Sequence, residues 1–462
     1  MPRPRIGRPP LTLAGIAPTL AGDRLGVEPG VVTTATGSAA IRHGAPAPAA
    51  IAKRHVTAAV VGNALEFYDF TTFTFFAAHI GRAFFPSHTR MDSLLSSLAV
   101  FGVGFCTRPL GAIVIGHIGD RRGRRPAMLI SFLLMGLAIL ALALCPSYAQ
   151  IGVAAPILVI LIRLVQGFAL GGEIGPSTAF LLEAAPPGQR GLYTAMQSVS
   201  QNIAALSAGL IGLGLASVLT SAQLDAFGWR IALIVGAAVL PFGLMIRRTL
   251  PETLHHEEHP SPVHHDSGPI QWRVVLCSLA MLAGGTVATY IQSYLTTYSG
   301  EILHMASRVA FAAPIVYGAA GIAANLAGGL LSDRIGRRPV VAAPRFVFLL
   351  VTLPAFWLLD RNRDAATLIL ATLAMTACIS TSGGAIMSSI TESLRKSSRS
   401  RALSIVYACA IAVFGGTTQY VATWLIARTG DNLSPAYYCM AITAIGIVGA
   451  LMIRESAPVK HA

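Results

Sequence analysis

The sequence has little charge and few cysteines. Only 12 % of its 462 residues are Asp, Glu, Lys or Arg, while 54 % are apolar. An average soluble domain carries about 25 % charged residues, so a soluble enzyme of this size is excluded. Six cysteines without CxxC spacing exclude a disulfide scaffold and give no metal-binding pattern. The composition is also too apolar for a disordered chain, which leaves a membrane protein with many spans.

Acidic residues are the scarcer charge, with 20 Asp and Glu against 34 Lys and Arg, a formal net charge of +14. The arginines cluster in short loops between apolar segments, in 121–125, 334–338 and 395–401. The positive-inside rule explains this pattern, so nucleic-acid binding is not indicated. We expect a cell (inner) membrane protein with both termini on the cytoplasmic side.

Long apolar runs such as 127–144 and 231–246 are too continuous for barrel strands and indicate helices of about 20 residues. The predicted spans, numbered 1 to 12, are about 56–85, 94–117, 127–146, 152–182, 191–219, 229–248, 273–299, 308–331, 339–359, 366–391, 402–427 and 436–454. The fold class is therefore an all-α membrane protein with twelve transmembrane helices in two six-helix bundles.

Five regions follow from this division. They are a disordered cytoplasmic tail (1–54), an N-terminal bundle (55–250), a cytoplasmic linker (251–272), a C-terminal bundle (273–455) and a short tail (456–462). Five histidines and three acids in 255–266 could chelate a metal, but a solvated linker explains them better. No GxxxxGKS-type loop is present, and no cofactor or metal is predicted.

An internal repeat links the two halves. The sequence GHIGDRRGRRP at 116–126 recurs as GLLSDRIGRRP at 329–339, an offset of 213 residues. Glycine permits close helix contact, aspartate suits a helix N-terminus, and arginine pairs with carboxylates. We interpret the two copies as a cytoplasmic gate, with topogenic charge alone as the alternative. The gate residues are Gly116, Asp120, Arg121, Gly123, Arg124, Arg125, Glu173, Asp333, Arg334, Gly336, Arg337 and Arg338.

Span 1 carries two acids, Glu66 and Asp69, which are three residues apart and so share a helix face. Arg163 of span 4 lies at a similar depth. Charges at mid-membrane are costly and need a partner or a proton. We predict that these three residues couple transport to protons, and a permanent ion pair between spans 1 and 4 is the alternative.

Arg108 lies deep in span 2, where its guanidinium fork would fit a substrate carboxylate. Pairing with an acid of span 1 is the competing interpretation. Asn63, Gln197, Gln201 and Tyr407 are further candidate substrate ligands because they offer neutral hydrogen bonds. Hydrogen bonding between helices would explain them equally well.

The repeated loop resembles the signature of the major facilitator superfamily. From about residue 55 onward the chain is similar to the metabolite:proton symporter family, and most similar to its citrate and tricarballylate symporters. The matching segments include Gly62-Asn63, Glu66, Asp69-Phe70, 108–112, 163–168, Gly172-Glu173, 190–198, 228–230, 412–416 and 429–437.

This resemblance implies a proton-coupled importer of a small organic acid that works by alternating access of two rocking bundles. It assigns Arg108 to a substrate carboxylate, and Glu66, Asp69 and Arg163 to coupling. A di- or tricarboxylate such as citrate is favoured. The few interior cations leave shikimate or a betaine open, and a proton-driven exporter, a membrane enzyme or a sensor are the rivals. The expected partners are the acid, protons and membrane lipid, around a monomer.

Overall fold

The computed structural model describes residues 53–122, 124–171, 174–186, 188–238, 241, 244–245, 272–393, 406–453 and 455. Side chains are not described at 119–120, 124, 174–176, 179 and 183. The predictions for the linker and for the terminal tails therefore lie outside the described residues almost entirely, as do Gly123 and Glu173. Throughout the described ranges the chain forms helices and turns, without a strand. The all-α prediction is confirmed.

Ten helices in the described part are long and apolar enough to cross a membrane, and they match predicted spans 2–5 and 7–12. They are Arg90–Ile118, Arg125–Leu144, Ala154–Gly171, Arg190–Val218, Trp272–Ile302, Ser307–Ile335, Arg337–Asn362, Ala365–Ser393, Val406–Thr429 and Ser434–Met452. Span 1 consists of helices Lys53–Phe75 and Ala77–Phe84, and Glu66 and Asp69 lower its hydropathy. Span 6 begins with helix Trp229–Ala238, and its remainder is described only in part.

Three spans depart from regular α-helix near their middle. Span 1 is interrupted at Phe76, and span 2 tightens into a 3-10 turn at Gly104–Thr107, just before Arg108-Pro109. Proline explains the second feature because it lacks an N–H and its ring crowds the carbonyl one turn earlier. Span 11 contains a π-helical turn at Ile411–Gly415.

Glycines allow the helices to approach closely, as packing in lipid requires. A Cβ added at Gly167 of span 4 would lie 1.5 Å from the carbonyl oxygen of Gly104 in span 2. Between the two halves of the chain, a Cβ at Gly102 of span 2 would lie 2.5 Å from the carbonyl oxygen of Gly416 in span 11. Spans 5 and 8 pack against each other in the same way at Gly318. Arg108 and Arg163 are therefore held on two tightly packed helices beside the contact between the halves.

Candidate functional site

A buried polar triad connects spans 1 and 4. The side-chain amide of Gln166 donates to Asp69 Oδ2 at 2.8 Å, and its Oε1 accepts from Arg163 Nη1 at 2.5 Å. The direct distance from Arg163 Nη1 to Asp69 Oδ2 is 3.8 Å. Asp69, Gln166 and Arg163 are only 0 %, 2 % and 3 % exposed, so solvent does not screen these contacts.

Glu66 is also buried, but it lies in a different part of the N-terminal half. It lines a cavity of about 10 Å³ with Phe132, Met135 and Gly136 of span 3 and Gly236 of span 6. Asp69 faces span 4 instead. The structure thus brings Asp69 and Arg163 together and places Glu66 against spans 3 and 6.

Arg108 is buried next to aromatic side chains. Its guanidinium carbon lies 4.1 Å from the ring centroid of Phe105 and 5.3 Å from that of Phe70. Two tyrosines of the C-terminal half, Tyr290 of span 7 and Tyr407 of span 11, lie close enough to interact electrostatically with its guanidinium. Nε and Nη2 of Arg108 have no hydrogen-bond partner in the part of the chain that the structure describes. The side chain therefore has unused donor capacity at the contact between the halves.

One aromatic cluster joins Arg108 to Arg163. Arg163 stacks on Phe73, with 3.5 Å between guanidinium carbon and ring centroid, and Phe73 stacks on Phe101 at 5.8 Å. Phe101 in turn packs against Phe105 at 5.2 Å. Cation–π contacts lower the cost of burying both guanidinium groups without consuming their hydrogen-bond donors.

A cavity of about 50 Å³ lies beside this cluster, between spans 1 and 5 of one half and spans 7 and 8 of the other. Its polar lining comprises Thr71, Thr74, Gln201, Thr289, Tyr290, Ser293 and Tyr317. This volume holds only a few water molecules, because one water needs about 10–15 Å³ of such a cavity. Access for a larger solute requires the halves to move apart.

The other predicted ligands lie elsewhere. Asn63 donates to Ser200 Oγ at 2.5 Å and accepts from Gln197 Nε2 at 3.2 Å, which joins spans 1 and 5 in a buried network. These two side chains are engaged in helix–helix contacts, whereas Gln201 lines the central cavity. Tyr407 is partly buried and packs against the aromatic core.

At one end of the molecule the second copy of the repeated loop contacts the opposite half. The Asp333 carboxylate accepts the backbone N–H groups of Gly191 and Leu192, at 2.9 and 3.1 Å, where span 5 begins. Arg337 is buried and pairs with Asp333 at 2.7 Å and with Glu392 at 3.2 Å. An anion at a helix N-terminus is stabilised by the first N–H groups and the helix dipole.

The other residues that the sequence predicts for a gate have more varied surroundings. Gly336 has φ 107°, which starts span 9 in a conformation that suits glycine. Arg121, Arg334 and Arg338 are exposed, and Arg125 is half-buried. No described atom lies within 4 Å of a Cβ added at Gly116, whereas at its counterpart Gly329 the carbonyl of Gly191 lies 2.9 Å away. Side-chain placement at Asp120 and Arg124 lies outside the described part.

A second set of charged contacts crosses between the halves at the other end of the molecule. Arg82 of span 1 donates to Asp225, which precedes span 6, at 2.7 Å, and to Glu301 of span 7 at 3.0 Å. His79 contacts Asp225 at 2.5 Å. Burial opposes ionisation of Asp225, but hydrogen bonds from His79 and Arg82 outweigh it and leave the Asp225 pKa below its usual value.

Sequence reasoning missed several of these residues. Gln166 stands one turn after Arg163 and so shares its face, a signal that could have identified it. Tyr290 and Glu301 contribute only through contacts between the halves, which no local pattern reveals. Arg345 of span 9 is fully buried and donates to the Met281 carbonyl at 3.0 Å, so the C-terminal half does hold an interior cation. Within the described residues no three His, Cys, Asp or Glu side chains form a group suited to a metal ion.

Comparison with known proteins agrees with this architecture. The family model for the Major Facilitator Superfamily matches residues 59–410 and 312–462. The citrate-proton symporter of Salmonella typhi is 35 % identical over 85 % of this chain and 92 % of its own length, and that of Klebsiella pneumoniae is 34 % identical over 86 % and 90 %. A proline/betaine transporter of Salmonella typhimurium is 30 % identical over 89 % and 85 %.

Among solved structures, the fold is similar to that of a D-xylose-proton symporter. The TM-score is 0.71 at 16 % identity, over 88 % of this chain and 98 % of the other. The relatives are named as transporters and not as enzymes, and the resemblance seen in the sequence is confirmed. The chain is a membrane transporter and belongs to the major facilitator superfamily.

Proposed function

We propose that this transporter imports a small organic acid together with protons, and that the acid is a di- or tricarboxylate such as citrate. The carrying observation is the pair of buried arginines at the ends of one aromatic cluster. Both have unused donors, but Arg163 has a nearby acid in Asp69, whereas Arg108 forms no ion pair within the described residues and lies at the contact between the halves. The names of the relatives at 34–35 % identity support the same substrate class.

Local charge explains how the two solutes would be coupled. Arg108, Arg163 and Asp69 together carry a net charge of +1, which one substrate carboxylate would neutralise. A second carboxylate would be compensated if Asp69 bound a proton, because Arg163 would then face the substrate alone. Binding of a dicarboxylate and of a proton would therefore favour each other, which is the condition for symport.

Alternating access would use the two ends described above. Asp333 with the start of span 5 would keep the cytoplasmic side closed, and Arg82 with Glu301 would keep the opposite side closed. In this proposal the N- and C-terminal bundles rock as units, both termini are cytoplasmic, the membrane is the inner one, and the transporter works as a monomer surrounded by lipid.

A betaine is the second candidate substrate. Phe70, Phe105 and Tyr290 surround Arg108, with Tyr290 and Phe105 ring centroids 6.0 Å apart. Aromatic faces attract quaternary ammonium groups, while Arg108 would take the single carboxylate. The proline/betaine transporters among the relatives favour the same test.

The test is uptake of labelled citrate, succinate, shikimate and glycine betaine into proteoliposomes with and without an imposed pH gradient. We expect gradient-driven accumulation of a carboxylate, with betaine uptake supporting the second candidate. Gradient-driven efflux instead of uptake would support an exporter. Asp69→Asn and Glu66→Gln should abolish accumulation but retain exchange of labelled for unlabelled substrate.

Two further variants test whether these effects are specific to the proposed coupling and substrate-binding residues. Asp364→Asn changes an exposed loop aspartate and should leave accumulation unchanged. Arg108→Lys keeps the charge but loses the bidentate fork, so KM should rise about tenfold, equivalent to about 1.4 kcal/mol. If Asp69→Asn still concentrates substrate against its gradient, proton coupling through this site is refuted, and the same result for Glu66→Gln removes Glu66 from the coupling group.

A further inference from the structure

Gln166 occupies the space in which a direct ion pair would form. Its amide contacts both Asp69 Oδ2 and Arg163 Nη1, at 2.8 and 2.5 Å, while these two atoms are 3.8 Å apart. A charge-assisted hydrogen bond has a length of about 2.7–2.9 Å, so the arginine and the carboxylate are not in direct hydrogen-bond contact. The glutamine is the immediate partner of both.

The surrounding helices keep this geometry in place. Arg163 lies over the Phe73 ring at 3.5 Å, so closing on Asp69 would cost that stacking contact. Span 4 cannot shift easily, because Gly167 lies in contact with the Gly104 backbone of span 2. The amide therefore bridges two charged groups that the fold holds apart.

The charged and titratable groups around Asp69 come from several helices. They are Arg163 on span 4 and Tyr68 on span 1 itself, with Arg108 on span 2 beyond Arg163 and with Tyr290 and Tyr407 beyond Arg108. Glu66 on span 1 faces spans 3 and 6 instead. The described part of span 5 presents neutral side chains, Gln197 and Ser200, to span 1. Apart from Arg163, Gln166 is the one residue in the described ranges with a hydrogen bond or ion pair to the Asp69 carboxylate.

We propose that Gln166 is a positioning residue that sets the pH at which Asp69 takes up and releases its proton. This rests on the proposed function, in which Asp69 carries the proton. The amide N–H stabilises the deprotonated carboxylate, and Oε1 keeps the Arg163 guanidinium at a distance. The Asp69 carboxylate thus has one hydrogen-bond donor, the Gln166 amide, and does not form a tight ion pair that would exclude a proton.

The opposite half contains a neutral counterpart, which provides a matched control. Position 376 is offset from Arg163 by the same 213 residues as the repeated loop, and it is a threonine. Its hydroxyl donates to Gln292 Oε1 of span 7 at 2.6 Å. Gln292→Met is the same chemical change, at a residue 1 % exposed, without a carboxylate in the contact.

The experiment compares Gln166→Met with Gln292→Met in proteoliposomes, measuring the initial rate and KM of citrate uptake against pH. Methionine fills the same space but cannot donate or accept these bonds. Losing the bond to the carboxylate, partly offset by Arg163, should move the midpoint of the Gln166→Met pH profile up by about one unit. KM should stay within a factor of two, and Gln292→Met should keep the wild-type midpoint.

A readout without substrate complements this. It follows, as a function of pH, the difference in Tm between each glutamine variant and its double mutant with Asp69→Asn. The midpoint of this pH dependence should differ from that of the wild-type pair for Gln166→Met and should be unchanged for Gln292→Met. An unchanged midpoint with a lowered maximal rate, or an acidic shift, would overturn the role of Gln166 while leaving Asp69 as carrier intact. If Asp69→Asn itself still concentrates citrate, both the proposed function and this inference fail.

Discussion

Replacing Asp333 by asparagine should open the transporter at the end that holds the repeated loop, which is the cytoplasmic side in the proposed orientation. In the structure its carboxylate accepts two backbone N–H groups of span 5, from Gly191 and Leu192. These bonds cross between the halves and must break when the cytoplasmic side opens. The ion pair with Arg337 lies within one half and survives opening, so it does not bias the equilibrium.

The size of this effect follows from the two hydrogen bonds that cross between the halves. A hydrogen bond to a charged group contributes about 1.5–3 kcal/mol, and an anion at a helix N-terminus adds about 0.3–1 kcal/mol. Asparagine keeps one acceptor oxygen and loses the charge, so roughly one strong bond and the dipole contribution disappear. The loss is about 3 kcal/mol, which raises the ratio of open to closed molecules about 100-fold.

The assay is the rate at which a membrane-impermeant maleimide labels Ser388→Cys in a background without the native cysteines. Ser388 is fully buried and contacts Thr194 of span 5, so it becomes accessible when the halves separate. We expect labelling from the cytoplasmic side to accelerate about 100-fold in Asp333→Asn. Asp364→Asn is the control, because Asp364 accepts the backbone N–H of Thr367 at a helix start and this contact lies within one half. Equal labelling rates in folded Asp333→Asn and wild-type protein would refute the reasoning.

Three further predictions concern other contacts. Glu301→Gln should weaken the half-buried ion pair with Arg82 by about 1 kcal/mol. The rate of maleimide labelling between the halves from the Arg82 end should then increase about fivefold, and an unchanged rate would count against a closing role for this pair. Because the Asp225 pKa is lowered in the folded state, its contribution to stability is present above the unfolded value of about 4 and is lost as pH falls through the folded pKa. Asp225→Asn should therefore lower Tm at pH 7 and lower it progressively less as the pH falls below about 4, and an equal loss of Tm throughout this range would contradict this. Gly167→Ala should prevent stable packing of spans 2 and 4, whereas Gly214→Ala, with open space around it in the described part, should fold normally in a thermal-shift assay.

Both ends of the contact between the halves hold charged contacts in this structure. Asp333 joins the halves at one end, Arg82 joins them at the other, and the cavity between is only about 50 Å³. Phe76 of span 1 and Phe311 of span 8 also meet between the halves, with ring centroids 5.0 Å apart. This arrangement corresponds to a closed state from which either side could open.

Much of the architecture could be predicted from the sequence because it depends on local chemistry. A backbone in lipid must satisfy its own hydrogen bonds, so apolar runs of about 20 residues indicate helices. The offset repeat indicates two related halves, and charges such as Asp69, Arg108 and Arg163 stand out because burying them is costly. These signals need only neighbouring residues and their order.

The partners of those charges were decided by tertiary structure. The sequence predicts that Glu66 and Asp69 share a helix face and act together. In the structure, Glu66 instead faces spans 3 and 6, whereas Asp69 contacts Gln166 of span 4. Asp333 caps a helix of the opposite half, 142 residues away in the chain. Helical periodicity specifies which face a residue occupies, but only the close packing of glycine-lined helices determines which face it meets.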